Sequence, residues 1–152
     1  MHRIIASWFG SGLILGRLRG SHAGSGTVGG ALALVMSLAL GRIGFLAQIG
    51  ATIAVIGLSV WSSDRFTHDE DDHDPGWVVV DEAAGTFLAT IGLAGGGALV
   101  AWLVFRAADI FKSAFPGVAA AEGLAGGVGV TADDLVAGLY GLAAGWAFVA
   151  VF

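Results

Sequence analysis

The feature that most constrains the fold of this chain is a set of acidic side chains placed inside apolar runs. Residues 77–87 read WVVVDEAAGTF, with Asp81 and Glu82 at the middle. Asp109 ends a second apolar run, and Asp133 and Asp134 open a third. A charge at the centre of a lipid-facing helix costs about 2.5–3.5 kcal/mol. We therefore expect these carboxylates to share one polar cavity, where their mutual repulsion favours a bound divalent cation.

The composition indicates a membrane protein. Of the 152 residues, 56% are hydrophobic and only 12% are charged, whereas about a quarter of the residues in a soluble domain are charged. The net charge of −5 argues against a nucleic-acid partner. The chain has no cysteine, which excludes disulfides and thiolate metal sites.

The apolar runs predict an all-α integral membrane bundle of about five spans, forming a single domain over residues 1–152. The tract that begins near residue 28 and ends at residue 61 is too long for one span and fits a tight hairpin. A polar loop over 62–76 separates this hairpin from a second one, and one further span ends the chain. The predicted spans are 28–40, 43–61, 78–93, 98–110 and 135–152.

The N-terminal segment is predicted to be an amphipathic helix that lies in the membrane interface. Its apolar stretch is interrupted by glycines, which argues against a cleaved signal peptide. Ile4, Ile5, Trp8 and Phe9 would insert into the lipid.

The basic residues predict which end of the bundle faces the cytoplasm. Five spans put the N-terminus and both long loops at one end, together with six of the seven basic residues. Arg42 is the exception. The excess of basic residues makes this end cytoplasmic, and all twelve acidic residues fall at the same end.

Several polar residues have both a structural and a functional interpretation. Arg106, Asp109 and Lys112 recur at i, i+3 and i+6, which fits either an interfacial ion pair or a phosphate site beside a metal ligand. Asp133 and Asp134 fit either helix N-terminal acids or metal ligands.

Two further segments carry the same ambiguity. Thr27 follows glycines at the mouth of the first span, where an N-cap and an anion site are compatible. Asp74, in Asp-Pro-Gly before the third span, is a candidate N-cap or metal ligand. Residues 68–73 (HDEDDH) could hold a transition metal, but we interpret them as a solvated loop peripheral to catalysis.

Four sequence blocks resemble the bacterial phosphatidylglycerophosphatase A family. They are GTVGG (26–30), DPGWVVVDEAAG (74–85), FRAADIFK (105–112) and GGVGVTADDLVAGLY (126–140), in the family's order and with similar spacing. The chain departs from the family pattern at Ser25 and Ser113, where proline is usual, and in its acidic 68–73 segment. These departures bear on the identity of the substrate more than on the phosphatase chemistry.

The resemblance implies a Mg²⁺-dependent enzyme that converts phosphatidylglycerophosphate to phosphatidylglycerol at the cytoplasmic face of the bacterial inner membrane. Asp81, Asp109 and Asp134 would then be catalytic, and Thr27, Arg106 and Lys112 would bind the substrate phosphate. The expected metal ligands are Asp74, Asp81, Glu82, Asp109, Asp133 and Asp134. The sequence leaves open whether water attacks directly or an aspartate is first phosphorylated, how many metal ions bind, and whether the chain forms a homo-oligomer.

Two interpretations from other classes compete with this one. A small divalent-cation channel or transporter subunit would use the same intramembrane carboxylates as a permeation path. Such a path needs polar residues that reach the far face of the membrane. At that face the sequence offers only Arg42, Gln48 and glycines, which argues against a channel. A non-catalytic assembly protein would leave the cost of the carboxylates unexplained.

Overall fold

The computed structural model describes residues 2–69 and 76–152, and this part of the chain is helical, without strands. The predicted all-α class is therefore confirmed. A short 3₁₀ helix spans Lys112–Ala114. The α-helices are α1 (His2–Ala6), α2 (Ser11–Arg19), α3 (Ser25–Ile43), α4 (Phe45–Asp69), α5 (Val80–Ala89), α6 (Gly95–Ile110), α7 (Val118–Glu122) and α8 (Gly126–Val151).

Three helices in the described part are long and apolar enough to cross a membrane: Ser25–Ile43, Phe45–Arg65 within α4, and Gly126–Val151. The helix predicted over 78–93 is too long, because α5 has only 10 residues and is about 15 Å in length. Helix α6 has 16 residues, or about 24 Å. Both are shorter than the roughly 30 Å hydrocarbon core of a bilayer.

Helix α5 begins at Val80, two residues after the predicted start, because the backbone before it forms a hydrogen bond outside the helix. The Val79 N–H donates to the Ala6 carbonyl over 2.8 Å, which ties the entry of α5 to α1. Val78 and Val79 are buried, so this non-helical stretch is enclosed by protein.

The N-terminal segment differs from the prediction of one interfacial helix. It forms α1 and α2, joined by a turn in which Trp8 and Phe9 have positive φ angles of 45° and 58°. The insertion of Trp8 into lipid is wrong, since its side chain is 3% exposed and packs edge-on against Phe87 with ring centroids 6.0 Å apart. Ile4 and Phe9 are exposed, as the interfacial interpretation requires.

Two predicted boundaries are also wrong. Helix α4 continues through residue 69, into the segment predicted as a polar loop, and residues 70–75 lie outside the described part. Helix α8 begins at Gly126, not after the two aspartates. Asp133 and Asp134 therefore lie about two turns inside α8 and are not helix N-terminal acids.

Helix α8 packs against α4, α5, α6 and α7, and glycines set its distance from α5. A Cβ on Gly85 would lie 2.8 Å from the Asp134 carbonyl oxygen, and a Cβ on Gly138 would lie 2.8 Å from the Gly85 carbonyl oxygen. These two glycines therefore permit the close contact between α5 and α8. The contact brings the start of α5 beside the two aspartates of α8.

At the opposite end of the bundle, Gln48 links three helices. Its side-chain amide donates to Ser37 Oγ over 2.9 Å and to the Thr90 carbonyl over 3.0 Å, and its oxygen accepts from the Gly92 N–H over 2.9 Å. All of Gln48, Ser37 and Thr90 are buried. These polar groups bond to one another and hold α3, α4 and α5 together.

Candidate active site

The predicted acidic side chains meet in a cavity of about 490 Å³ where α5, α6 and α8 converge. One lysine shares this cavity with six acidic residues, an excess of negative charge that is costly without a cation. The lining residues are Asp81, Glu82, Asp109, Lys112, Glu122, Leu124, Ala125, Gly126, Val130, Asp133 and Asp134.

Three of the carboxylates form a compact cluster. One oxygen from each of Asp81, Glu82 and Asp134 lies within 4.8 Å of the other two. Asp81 and Glu82 occupy the first turn of α5, and the close contact at Gly85 brings Asp134 to them from α8. Asp81 and Asp134 are only 6% and 3% exposed.

The donor chemistry of this cluster fits a hard divalent cation. Mg²⁺ prefers carboxylate oxygens and usually retains several waters. One oxygen of Glu82 and one of Asp134 are buried without a hydrogen-bond partner in the described part of the chain. Buried carboxylate oxygens without partners are costly, and a cation would satisfy them.

Arg106 and Asp109 form an ion pair on α6, at the edge of the cavity. Arg106 Nη1 lies 2.7 Å from Asp109 Oδ2, and the two side chains are 12% and 16% exposed. The ion pair expected under the structural interpretation of these residues is therefore present. Asp109 lines the cavity as well. Arg106 does not line the cavity but extends towards α3, where a Cβ on Gly26 would lie 3.1 Å from its Nη2 atom.

Lys112 lies between two carboxylates at the cavity mouth. Its Nζ is 2.6 Å from Asp133 Oδ2 and 2.8 Å from Glu122 Oε1. Partial burial by itself would lower the pKa of Lys112, but the hydrogen bonds to Asp133 and Glu122 outweigh it and raise that pKa above its ordinary value. The ammonium group is therefore a permanent positive charge at neutral pH, and Asp133 pairs with it rather than joining the three-carboxylate cluster.

Glu122 is the acidic residue of the cavity lining that the sequence did not indicate. It stands alone in the alanine-rich α7, with no motif around it, and only the fold brings it to Lys112. Its contact with Lys112 makes α7 part of the cavity wall.

The first turn of α3 reaches the site through its backbone. A Cβ on Gly26 would overlap the Glu82 carboxylate, so the glycine permits this approach. Thr27, one residue later, is exposed and is not among the lining residues, so its phosphate-binding role stays a prediction. Asp74 lies outside the described residues, as does most of the 68–73 segment.

Comparison with known proteins identifies a family and one relative of this chain. The family model described as phosphatidylglycerophosphatase A matches residues 4–149. A protein of Bacteroides thetaiotaomicron named "Putative phosphatidylinositol-3-phosphatase" is 31% identical over 147 residues, which cover 90% of this chain and 86% of that protein. No solved structure shows a significant match.

The family match covers nearly the whole chain, including every element that lines the acidic cavity. The chain belongs to the phosphatidylglycerophosphatase A family and is a phosphomonoesterase of the lipid phosphatase class.

Proposed function

We propose that this chain is a Mg²⁺-dependent phosphatase that hydrolyses phosphatidylglycerophosphate to phosphatidylglycerol at the cytoplasmic face of the bacterial inner membrane. The observation that carries the proposal is the cluster of Asp81, Glu82 and Asp134, with oxygens within 4.8 Å of one another. Lys112 stands at the mouth of the same cavity. Clustered carboxylates beside a fixed cation are what metal-assisted phosphoryl transfer requires.

The proposed roles follow from the position of each side chain. Asp81, Glu82 and Asp134 would hold the metal ion, and Asp133 and Asp109, which line the same cavity, would contribute to a second site or to the water shell of the ion. When bound, Mg²⁺ supplies Lewis-acid polarisation of the phosphoryl group and favours ionisation of the attacking water. Lys112 binds a phosphoryl oxygen and releases one of its two carboxylate partners, Asp133 or Glu122.

Asp109 is the residue we assign to proton transfer. Its carboxylate lines the cavity, and the ion pair with Arg106 fixes its orientation. In direct hydrolysis the water oxygen bonds to phosphorus, and the bond from phosphorus to the terminal glycerol oxygen breaks. Asp109 takes the proton from the water and then donates it to the leaving glycerol oxygen, which becomes a free hydroxyl group as the carboxylate is regenerated.

The competing path passes through a phosphorylated aspartate. Asp81 or Asp134 would attack phosphorus, and water would then release phosphate from the acyl phosphate. Trapping with beryllium fluoride or fluoroaluminate, followed by a search for an acyl phosphate, distinguishes the two paths. An acyl phosphate trapped on either aspartate would show that the reaction passes through the phosphorylated enzyme and not through direct attack of water on the substrate.

For the membrane arrangement, we propose that α5 and α6 complete five spans with α3, α4 and α8. The irregular backbone before α5 is compatible with this, because non-helical backbone at membrane depth is tolerated where protein encloses it, and Val78 and Val79 are buried. The basic residues at the cavity end support a cytoplasmic active site. The substrate's acyl chains would stay in the bilayer while its phosphate enters the cavity.

Phosphatidylinositol 3-phosphate is a second candidate substrate. The support is the name of the Bacteroides thetaiotaomicron protein, which is 31% identical to this chain. Both lipids present a phosphomonoester on a polyol head group, and a cavity of about 490 Å³ has room for either head group.

The experiment that tests the proposal is phosphate release by the purified full chain in mixed micelles, with Mg²⁺ and then with EDTA. Phosphatidylglycerophosphate and phosphatidylinositol 3-phosphate are compared at equal surface concentration. We expect Mg²⁺-dependent release with the higher kcat/KM for phosphatidylglycerophosphate. Higher kcat/KM for the inositol lipid would reassign the substrate, and no release from either would refute the function.

A further inference from the structure

Helix α2 has two opposite faces of different character. Gly12 is buried, and a Cβ there would overlap the Trp77 carbonyl oxygen. Ile14, Arg17 and Leu18 are exposed, and the exposed fraction of Leu18 is 76%. At 3.6 residues per turn, these three residues lie about 140–240° around the helix from Gly12. We name them the outer face of α2, because this face points away from the rest of the protein.

The packed side of α2 lies beside the start of a candidate membrane span. A Cβ on Gly12 would lie 3.0 Å from Val79 Cγ2, and a Cβ on Gly29 would lie 2.8 Å from the same atom. The Val79 side chain is therefore enclosed between α2 and α3. Gly29 is about one turn from the start of Ser25–Ile43, which is long and apolar enough to cross a membrane. Helix α2 therefore lies at the N-terminal end of this span, where a bilayer surface would be.

The outer face combines two large apolar side chains, Ile14 and Leu18, with one basic side chain. Arg17 forms no ion pair with the residues that the structure describes. A helix that presents apolar and basic side chains together binds at the boundary between lipid head groups and acyl chains, where anionic lipids attract the basic groups. The position beside a span favours lipid as the occupant, because the bilayer surface is present there without any partner protein.

We infer that the outer face of α2 docks on anionic phospholipid head groups, with its apolar side chains inserted below them and Arg17 paired with a lipid phosphate. Asp81 and Glu82 follow soon after Val79, which α2 contacts from its packed side. Docking would therefore hold the first turn of α5 near the level of the head groups. The docking itself does not depend on the proposed phosphatase activity.

The test uses the absence of cysteine from the chain. Ile14→Cys in the full chain carries an environment-sensitive fluorophore, and the protein is placed in nanodiscs that hold one chain each. The discs contain phosphatidylcholine, with or without phosphatidylserine, and a spin-labelled lipid that quenches a fluorophore inserted among acyl chains. Arg17→Gln removes the charge of the outer face. Arg42→Gln is the matched control, since Arg42 is also exposed but lies at the other end of α3.

We expect stronger quenching in the discs that contain phosphatidylserine, because one basic side chain near an anionic surface strengthens binding about fivefold. Arg17→Gln should reduce the quenching to the level of the phosphatidylcholine discs, and Arg42→Gln should leave it unchanged. Equal quenching in both kinds of disc, or wild-type quenching in Arg17→Gln, would overturn docking on anionic lipid.

A second copy of the chain is the competing occupant. A fluorophore that is shielded only in larger discs holding two chains would assign the outer face to that copy and would equally overturn the inference. Neither result depends on phosphate release, so a failure of docking is distinct from a failure of the proposed function.

Discussion

The close contact between α5 and α8 predicts that Gly85→Ala damages both stability and metal use. The new Cβ would overlap the Phe105 ring and lie 2.8 Å from the Asp134 carbonyl oxygen. Ordinary contact begins at 3.4 Å, so the two helices must separate by about 0.6 Å. That displacement moves Asp134 away from Asp81 and Glu82, the other two members of the carboxylate cluster.

The magnitude follows from overpacking a tight interface. Adding a methyl group where no space exists costs about 1–3 kcal/mol, which lowers Tm by roughly 2–12 °C for a chain of this length. Misplacement of a catalytic group by about 1 Å can cost a hundredfold in rate. We therefore expect kcat of Gly85→Ala to fall about tenfold or more, with a higher Mg²⁺ concentration needed for half activation.

The assay is thermal unfolding in detergent together with a Mg²⁺ titration of phosphate release. Gly57→Ala is the matched control, because Gly57 lies in α4 and a Cβ there would meet no atom within 4 Å. That change should be neutral or stabilise by about 0.5–1 kcal/mol. The packing argument is refuted if Gly85→Ala retains the wild-type Tm and the wild-type Mg²⁺ dependence.

Two further predictions concern the charges around the site. Lys112→Gln should lower kcat/KM about a hundredfold. Asp133 and Glu122 raise the pKa of Lys112 above its ordinary value. The two ion pairs therefore contribute their full stability at any pH below the ordinary pKa of lysine. They are lost only when the pH rises through the raised pKa. The ratio of wild-type to variant kcat/KM should therefore stay constant between about pH 6 and about pH 9. A ratio that falls towards one within this pH range would contradict a charged Lys112. Replacing four residues of the 68–73 segment together with serine (His68, Asp69, Asp71 and His73) should leave turnover within about an order of magnitude, or ~1.4 kcal/mol of barrier. Complete loss of turnover would instead indicate a second metal site there.

The meeting of Asp81, Glu82 and Asp134 in one cavity could be predicted from the sequence, because the cost of a charge in lipid leaves few alternatives. The start of α8 could not. Each glycine is about 1 kcal/mol less favourable than alanine in a helix, so a glycine-rich stretch predicts a loop. Here tertiary contacts outweigh that preference, since a Cβ on Gly127 would overlap the Val60 carbonyl.

Other errors have the same non-local origin. The burial of Trp8 depends on Phe87, and the late start of α5 depends on a hydrogen bond from Val79 to Ala6. Neither partner is near in sequence, and an apolar side chain can insert equally well into lipid or protein. Glu122 carries no local signal at all, because its role as a Lys112 partner arises only when α7 folds onto the cavity.

The measurement that tests the central claim most directly compares wild type and Glu82→Gln in phosphate release from phosphatidylglycerophosphate, across a Mg²⁺ titration and in EDTA. The variant keeps the shape of the side chain and removes one charge from the proposed metal site. We predict that EDTA abolishes wild-type turnover, that added Mg²⁺ restores it, and that Glu82→Gln loses about a thousandfold or more in kcat/KM. Wild-type turnover that persists in EDTA, or a Glu82→Gln variant with the activity and Mg²⁺ dependence of the wild type, would contradict a metal site at Asp81, Glu82 and Asp134.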